Sequence, residues 1–208
     1  MSSPEDGGHP PPETYEELMS ATYRALCRHG YADLTLRKVA AESDRSRALI
    51  HYHYDSKNHL VVSLLEYLFE TFSARLNDLA GAPPDDRLDA LLDWVAYGPR
   101  IAGQSGQDYH TAIYELRAQA PYNEQLRTQL YSNYVSIQQM CIEIIRDGIE
   151  QELFKTVDPE EFTAIVFHAI SSARNVDLMH ETGNALDTVL DGLDRYLFSQ
   201  LYVDSVRE

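Results

Sequence analysis

The chain has 208 residues, of which 44% are hydrophobic, and a formal net charge of −16. It has no apolar run near the roughly 18 residues of a membrane helix, and residues 1–12 lack the apolar core of a signal peptide. The composition therefore predicts a soluble, cytoplasmic, globular protein of one or two domains. Cys27 and Cys141 stand far apart in sequence, which favours two small apolar core residues over a disulfide or a zinc site.

The acidic charge is unevenly distributed along the chain. Residues 13–60 hold seven basic and seven acidic side chains, whereas residues 61–208 hold ten basic and twenty-four acidic ones. Because an acidic surface repels a phosphate backbone, the neutral segment is where nucleic acid would be tolerated. Only three of the seventeen basic residues are lysine, and this scarcity together with the strong net charge favours a halophilic origin over an ordinary acidic protein.

Sequence patterns typical of helices begin soon after the first residues. Residues 1–12 combine Gly, Pro and Ser without apolar periodicity, which predicts a disordered arm. A first helix is expected over residues 14–29, with Thr14 and Glu17 as a capping box and Gly30 at its C-terminal end. Its inward face is expected to hold Leu18, Thr22, Ala25, Leu26 and His29.

Two short helices are expected next. Thr35 is a good N-cap for one that ends near Ser43, and Ser46 is a good N-cap for one that buries Ile50 and Tyr54. The first of the two should turn inward Leu36, Val39 and Ala40. Two short helices separated by about three residues are typical of a helix-turn-helix.

The remainder of the chain is also predicted to be helical. A fourth helix from Ser56 should end at the break GAPPDD, residues 81–86. Apolar spacing then predicts helices over residues 86–97, 107–119, 122–152, 159–181 and 185–203. No useful strand alternation is present, so we expect an all-α protein of about nine helices without internal repeats.

The segment from residue 45 to residue 59 gathers side chains suited to DNA. In the third helix, Arg47, Ala48, His51 and Tyr52 are expected on the side opposite Ile50 and Tyr54. Arginine can bind guanine O6 and N7 together, a small alanine permits close approach to bases, and histidine and tyrosine can donate to phosphates. Lys57 is expected to begin the fourth helix, where its ammonium and the free backbone N–H groups could contact one phosphate.

The same cluster of residues has two other possible interpretations, a metal site and a charged surface helix. His51 and His53 are two residues apart and face different sides of a helix, and His59 follows six residues later, so the spacing is poor for zinc. A charged surface helix without a ligand is the remaining alternative. The chain shows no Glu-x-x-His pair, Gly-rich phosphate loop or local catalytic signature, so we expect no enzyme activity, metal or cofactor.

The run TLRKVAAESDRSRALIHYHYDSKNHL, residues 35–60, resembles the helix-turn-helix signature of the tetracycline-repressor (TetR/AcrR) family of transcriptional regulators. That signature typically ends in Tyr/His-x-His/Tyr-Phe-x-x-Lys, and here residues 51–57 read HYHYDSK. The resemblance covers about residues 14–70. It implies a DNA-binding domain over residues 13–60 and an effector-binding, dimerising domain over residues 61–208.

The resemblance also implies roles for single residues. It assigns phosphate contacts to Thr35 and Ser46, which begin the two short helices. It assigns base reading to Arg37 and Arg47. His51, His53 and Lys57 match positions that contact phosphates or the groove. The family usually has Gly-Val in the turn, where this chain has Asp44-Arg45. Aspartate tolerates the left-handed conformation at modest cost. Arg45 must extend its side chain outward, or else the helix packing alters, and it could contact a phosphate instead.

The last two helices are candidates for a subunit interface. Asp158 and Pro159 form a strong helix start, and apolar stripes follow at Phe162, Ile165, Val166, Ala169, Ile170, Ala173 and Val176, then at Leu186, Val189, Leu190, Leu193, Tyr196, Leu197 and Leu201. These helices could pack within one subunit or form half of an intermolecular four-helix bundle. The resemblance favours a homodimer through about residues 159–203, whose recognition helices would lie about 34 Å apart on a pseudo-palindrome.

Ten side chains lie on the central helices that enclose an effector in this family: Trp94, Tyr97, Tyr109, Ile113, Tyr114, Arg117, Tyr131, Tyr134, Gln138 and Phe167. Ordinary core packing is the alternative for each. A cavity with this lining would suit a small, mainly apolar or aromatic effector, with Arg117, His110 or His168 available for a carboxylate or hydroxyl.

The leading hypothesis is a homodimeric, ligand-responsive repressor whose partner is double-stranded DNA. Its effector would shift the fourth helix and change the spacing of the two recognition helices, which requires unequal affinity for two states. The alternative is an effector-independent DNA-binding or protein-interaction module of the same fold.

Overall fold

The computed structural model describes residues 10–43, 45–180 and 183–203. Over these ranges the regular structure is helical, apart from two isolated bridges that join Ile101 to Gln104 and Phe154 to Tyr202. The all-α prediction is therefore confirmed. Within the same ranges, no helix has both the length and the apolar character that crossing a bilayer requires.

The helices follow the predicted order. They are α1 Pro12–Asp33, α2 Leu36–Ala41, α3 Arg47–His53, α4 Lys57–Asn77, α5 Pro84–Tyr97, α6 Gly106–Gln119, α7 Glu124–Glu150, α8 Pro159–Leu178 and α9 Ala185–Leu193. A 3-10 turn, Ala120–Tyr122, precedes α7. After α9 the chain continues without a break through a π-helical turn, Asp194–Phe198, into α10, Ser199–Leu201. These last three segments correspond to the single predicted final helix, so the described residues agree with about nine helices.

The chain divides into two compact units. The N-terminal unit comprises residues 1–71 and 100–130, and the C-terminal unit comprises residues 72–99 and 131–208. Residues 100–130 thus belong to the same unit as the first three helices, and α6 packs on α1, although the sequence grouped them with the C-terminal body. The predicted boundary after residue 60 concerns which residues bind DNA, and it stays a prediction.

Helix α1 forms much of the core of the N-terminal unit. Leu18, Thr22, Ala25 and Leu26 are buried as predicted, whereas His29 is half-buried. The predicted capping box is wrong: Pro11 is the N-cap, because Pro12 begins the helix two residues earlier and places Thr14 inside the first turn. Residues 1–9 of the predicted arm lie outside the described residues.

The C-terminal unit is built on α8, which packs against α9 and α5. The predicted start of α8 is confirmed, since the Asp158 carboxylate accepts a 2.9 Å hydrogen bond from Glu161 N. The beginning of α9 is capped from α8 rather than by its own N-cap: the Asp177 carboxylate accepts from the backbone N–H groups of Ala185 (2.8 Å) and Leu186 (3.0 Å).

Both cysteines are free thiols. Cys141 is buried, and burial raises the pKa of its thiol to about 11. Cys27 is half-buried, and burial raises the pKa of its thiol to about 12. The apolar assignment therefore fits Cys141 well, while Cys27 is more accessible than the sequence predicted.

Candidate nucleic-acid interface

Side-chain caps begin both short helices of the N-terminal unit. Thr35 Oγ1 accepts a 3.2 Å hydrogen bond from Lys38 N at the start of α2, and Ser46 Oγ accepts a 3.3 Å bond from Leu49 N at the start of α3. Both predicted N-caps are confirmed. Each contributes about 1 kcal/mol to helix stability, so α2 and α3 start at positions that the local sequence fixes.

Two buried side chains orient α3. Ile50 is fully buried and Tyr54, the C-cap residue, is 1% exposed. Because a helix turns about 100° per residue, burial at this position leaves the opposite side in solvent. The side chains found exposed there are Arg47, Ala48, His51 and Tyr52. This is the orientation that the sequence predicted.

The exposed face of α3 presents hydrogen-bond donors in a defined arrangement. Arg47 Nε donates a 3.3 Å hydrogen bond to His51 Nε2 one turn later, which directs the guanidinium along the helix. Tyr52 is 82% exposed, and its ring lies edge-on to that of half-buried His53, with ring centroids 4.9 Å apart. Such a face can donate to base edges and to phosphates.

The flanking residues of the predicted DNA-binding set are also accessible. Thr35, Arg37 and Ser46 are exposed. Arg24 and Arg28 of α1, by contrast, bind Glu42 at the end of α2: an Arg24 guanidinium nitrogen donates to Glu42 O at 2.6 Å, and Arg28 pairs with the Glu42 carboxylate. These two arginines hold α2 against α1 through contacts within the N-terminal unit.

Arg45 binds an acidic residue of α1. Its guanidinium pairs with the Glu17 carboxylate, and its backbone N donates to Ser43 Oγ at 3.0 Å. Ser43 Oγ in turn donates to Glu17 at 2.9 Å. Arg45 therefore extends outward, as its long side chain requires, and connects the turn to α1. Asp44, the other unusual residue of the turn, lies outside the described residues.

Lys57 has a contact that the sequence did not reveal. Its ammonium donates a 2.9 Å hydrogen bond to Tyr31 O and lies 4.1 Å from the centroid of the Tyr31 ring. An ammonium has three donors and the bond to Tyr31 uses one. The predicted phosphate contact stays a prediction, and the structure adds an intramolecular role in joining the first turn of α4 to the end of α1.

Sequence reasoning missed a second set of contacts at this place. The Glu115 carboxylate of α6 accepts a 2.5 Å hydrogen bond from Tyr31 N, and Asn123 and Gln125 both contact the side chain of Asn58. Partners in these bonds are separated by 65 to 84 residues. No local sequence pattern indicates a contact between residues so far apart.

The ten predicted effector-binding residues fall into two groups, one in each unit. In the N-terminal unit, Tyr109 and Ile113 are half-buried, while Tyr114 and Arg117 are exposed. The members in the C-terminal unit are buried Phe167, half-buried Trp94, Tyr134 and Gln138, and exposed Tyr97 and Tyr131. A shared lining for these ten side chains stays a prediction.

Some of the aromatic residues in the C-terminal unit have partners typical of core packing. Trp94 packs on Phe72 with ring centroids 5.0 Å apart, and Tyr134 lies edge-on to His168 at 6.4 Å. The unit also contains a cleft of about 380 Å³ between α5, α8 and the segment from α9 to Tyr202. Of the ten predicted residues, Tyr97 lines this cleft.

Two capped short helices, the second held by Ile50 and Tyr54 with Arg47 and His51 turned outward, form a helix-turn-helix within an all-α chain. These features define the class of helix-turn-helix DNA-binding proteins.

Comparison with known proteins makes this class more specific. The family model described as "Bacterial regulatory proteins, tetR family" matches residues 18–64. A solved TetR transcription regulator from Haloarcula marismortui ATCC 43049 is 34% identical, with 91% of this chain and 98% of that chain covered and a TM-score of 0.77. The chain belongs to the tetR family and is a DNA-binding transcriptional regulator.

Two further proteins are similar. The HTH-type transcriptional repressor SCO4008 of Streptomyces coelicolor is 28% identical over 72% of this chain and 71% of its own length. A transcriptional regulator from Saccharomonospora viridis, solved in complex with choline, is 21% identical, with 92% of this chain and 98% of that chain covered and a TM-score of 0.76. The likeness to the latter concerns the fold.

Proposed function

We propose that the chain acts as a homodimeric repressor that places α3 of each subunit in the major groove of a pseudo-palindromic operator. The observation that carries this proposal is the orientation of α3, with Ile50 and Tyr54 buried and Arg47 and His51 in solvent. Arg47 would read a guanine, Ala48 would allow close approach, and His51 and Tyr52 would contact phosphates or the groove edge.

The residues around α3 would position it on the duplex. Exposed Thr35 and Ser46 lie at the helix starts, where hydroxyl and backbone N–H groups suit phosphates, and Arg37 of α2 is a second candidate for base reading. His53 and Lys57 would add groove or phosphate contacts at the other end of α3. Arg45 would reach a phosphate only by sharing its guanidinium with Glu17.

Homodimerisation through α8 and α9 is supported by apolar side chains that one subunit leaves in solvent. Ile165, Val176 and Met179 of the α8 region are 54%, 45% and 72% exposed, and Tyr196 after α9 is 71% exposed. The predicted α8 stripe thus divides into an inner face, which includes Val166 and Ile170, and this outer face. A second copy of the chain would cover the outer face in a two-fold interface.

Repression and control by an effector also belong to the proposal. The name of SCO4008 supports repression, and the choline complex of the Saccharomonospora viridis protein supports small-molecule binding by this fold. An effector of this chain would be small and mainly apolar or aromatic, and it would act through unequal affinity for two conformations. A high-salt origin is supported by the 33 acidic against 17 basic residues and by the Haloarcula relative.

The proposal is tested by selecting operators from random duplex DNA with the full chain and footprinting the selected sequence. We expect one dimer on two symmetric half-sites whose centres are about 34 Å apart, or a multiple of that distance. Sedimentation of the protein–DNA complex gives the stoichiometry. Selection of a single asymmetric site bound by one subunit would contradict the dimer, and absence of any sequence preference would contradict operator recognition.

A further inference from the structure

The last turn of α1, which leads into α2, is held by a residue of α6. Gly30 interrupts α1 with a φ of 70°, a conformation that L side chains rarely adopt. Immediately after it, Tyr31 N donates to the Glu115 carboxylate at 2.5 Å. A hydrogen bond to a charged group is stronger than one between neutral groups, so Glu115 fixes the chain in the last turn of α1.

The fit around the Glu115 carboxylate leaves little freedom. A Cβ atom at position 30 would lie 3.1 Å from both carboxylate oxygens, which is closer than side chains normally approach. The glycine therefore serves two purposes, since it permits the positive φ and it lets the carboxylate reach Tyr31 N. The position of α6 and the course of the chain after α1 are coupled by direct contact.

The same tyrosine is held from the other side by α4. Lys57 Nζ donates to Tyr31 O at 2.9 Å and lies over the Tyr31 ring, so that a carboxylate and an ammonium bind the two backbone polar groups of one residue. Tyr31 is four residues before Thr35, the N-cap of α2, and α2 packs on α3. Any displacement of Tyr31 therefore reaches the start of the helix-turn-helix within one short connection.

Asn58, the next residue of α4, strengthens this coupling. Its side chain contacts Asn123 and Gln125, which lie at the junction between the 3-10 turn and α7. The first turn of α4 thus receives polar contacts from residues 123–125, while the end of α1 receives one from Glu115. Both sets of contacts lie within the N-terminal unit.

We propose that Glu115 is a positioning residue for DNA binding: by accepting the Tyr31 N–H it sets the α1–α2 connection and, through Tyr31 and Lys57, the start of α4, and so determines how α3 is presented. Glu115 lies outside the helix-turn-helix, and its role does not require it to touch DNA. This inference rests on the proposed use of α3 in operator binding.

Because Glu115 is acidic, an electrostatic effect and a positioning effect predict opposite changes in DNA affinity when it is replaced. Removing a negative charge by Glu115→Ala strengthens phosphate attraction, so a purely electrostatic effect predicts tighter DNA binding. Positioning predicts the opposite. We expect Glu115→Ala to weaken binding to the selected operator about ten-fold, the equivalent of about 1.4 kcal/mol, in fluorescence anisotropy well below the melting temperature.

Three further variants separate positioning from charge and from folding. Glu115→Asp keeps the charge but withdraws the acceptor by one methylene, and we expect weaker operator binding at unchanged net charge. Glu115→Gln keeps an acceptor oxygen, so operator binding should remain within about two-fold of the parent protein, a difference of about 0.4 kcal/mol. Glu150→Ala removes the same charge at an exposed position of α7 and gives the size of the electrostatic effect alone.

Amide hydrogen exchange supplies a local readout. We expect faster exchange of the Tyr31 N–H in Glu115→Ala and Glu115→Asp, with parental protection in Glu115→Gln. Operator affinity that is unchanged in both Glu115→Ala and Glu115→Asp, despite an unprotected Tyr31 amide, overturns the inference. Equal loss of affinity in Glu115→Gln and Glu115→Ala also overturns it, because the hydrogen-bond acceptor would then be irrelevant.

A parallel variant keeps the two proposals apart. Arg47→Ala tests whether α3 reads DNA at all. If Arg47→Ala leaves operator binding intact, the proposed function fails. If Arg47→Ala abolishes binding while Glu115→Ala and Glu115→Asp do not weaken it, only the positioning role fails.

Discussion

Helices α3 and α8 both leave one side in solvent, and the two exposed sides differ in how much apolar surface they carry. On α3 the exposed side carries Arg47, His51 and Tyr52, which offer hydrogen-bond donors. On α8 it carries the apolar side chains of Ile165 and Val176, together with exposed His168 and Ser172. Water solvates the first face at little cost, whereas the second gains free energy when another apolar surface covers it. The difference matches a nucleic-acid partner for α3 and a protein partner for α8.

The largest expected effect follows from removing the donors of α3. Arg47→Ala combined with His51→Ala should weaken binding to the selected operator by about 100-fold or more, because each lost base or phosphate contact costs about 1–3 kcal/mol. Fluorescence anisotropy measures the change. Arg127→Ala, which removes an exposed arginine from α7, is the matched control and should stay near the parent value. Equal losses in both variants would show that total charge, rather than the face of α3, controls binding.

The next effect concerns the apolar face of α8. Val176→Glu places a carboxylate where the proposed dimer buries apolar surface, and the two-fold symmetry doubles the cost. We expect the dimer dissociation constant to rise by about 100-fold or more, the equivalent of about 2.7 kcal/mol, as measured by sedimentation equilibrium.

Thr128→Glu introduces the same charge at an exposed position of α7 and serves as the control. It should leave the dimer intact. Unchanged association of the Val176→Glu variant would show that this side of α8 is not the subunit interface. The assignment of a protein partner to the exposed side of α8 would then be wrong.

A smaller effect tests how α3 is held in place. Ser46→Ala removes the oxygen that accepts from Leu49 N, and loss of such a cap should lower the free energy of unfolding by about 1 kcal/mol. Chemical denaturation measures the loss. Ser46→Asp keeps a capping oxygen and should retain stability, while its negative charge should weaken operator binding. Equal destabilisation by both substitutions would argue against the cap.

Local features of the fold could be predicted from the sequence. The caps at Thr35, Ser46 and Asp158 depend on residues three positions away, and the burial of Ile50 follows from helical spacing. The predicted capping box at Thr14 and Glu17 failed for a local reason too, since Pro12 offers an earlier helix start. The proline at position 12 and the capping box at Thr14 and Glu17 each predict a helix start, and neither pattern alone shows which start the chain uses.

Contacts between distant residues could not be predicted. Glu115 and Tyr31 are 84 residues apart, and Asp177 caps α9 from a different helix. Glu17 pairs with Arg45, which lies 28 residues away in the turn. In the same way, apolar periodicity located the stripe on α8 but could not separate Ile170, which is buried within the subunit, from exposed Val176.

We propose that Arg47, on the outward side of α3, reads a base. Operator selections run in parallel with the parent protein and with Arg47→Ala test this proposal. The expected result is that the variant loses preference for guanine at one symmetric position in each half-site and keeps its preferences elsewhere. An unchanged sequence preference at every position, with or without weaker binding, would contradict the claim.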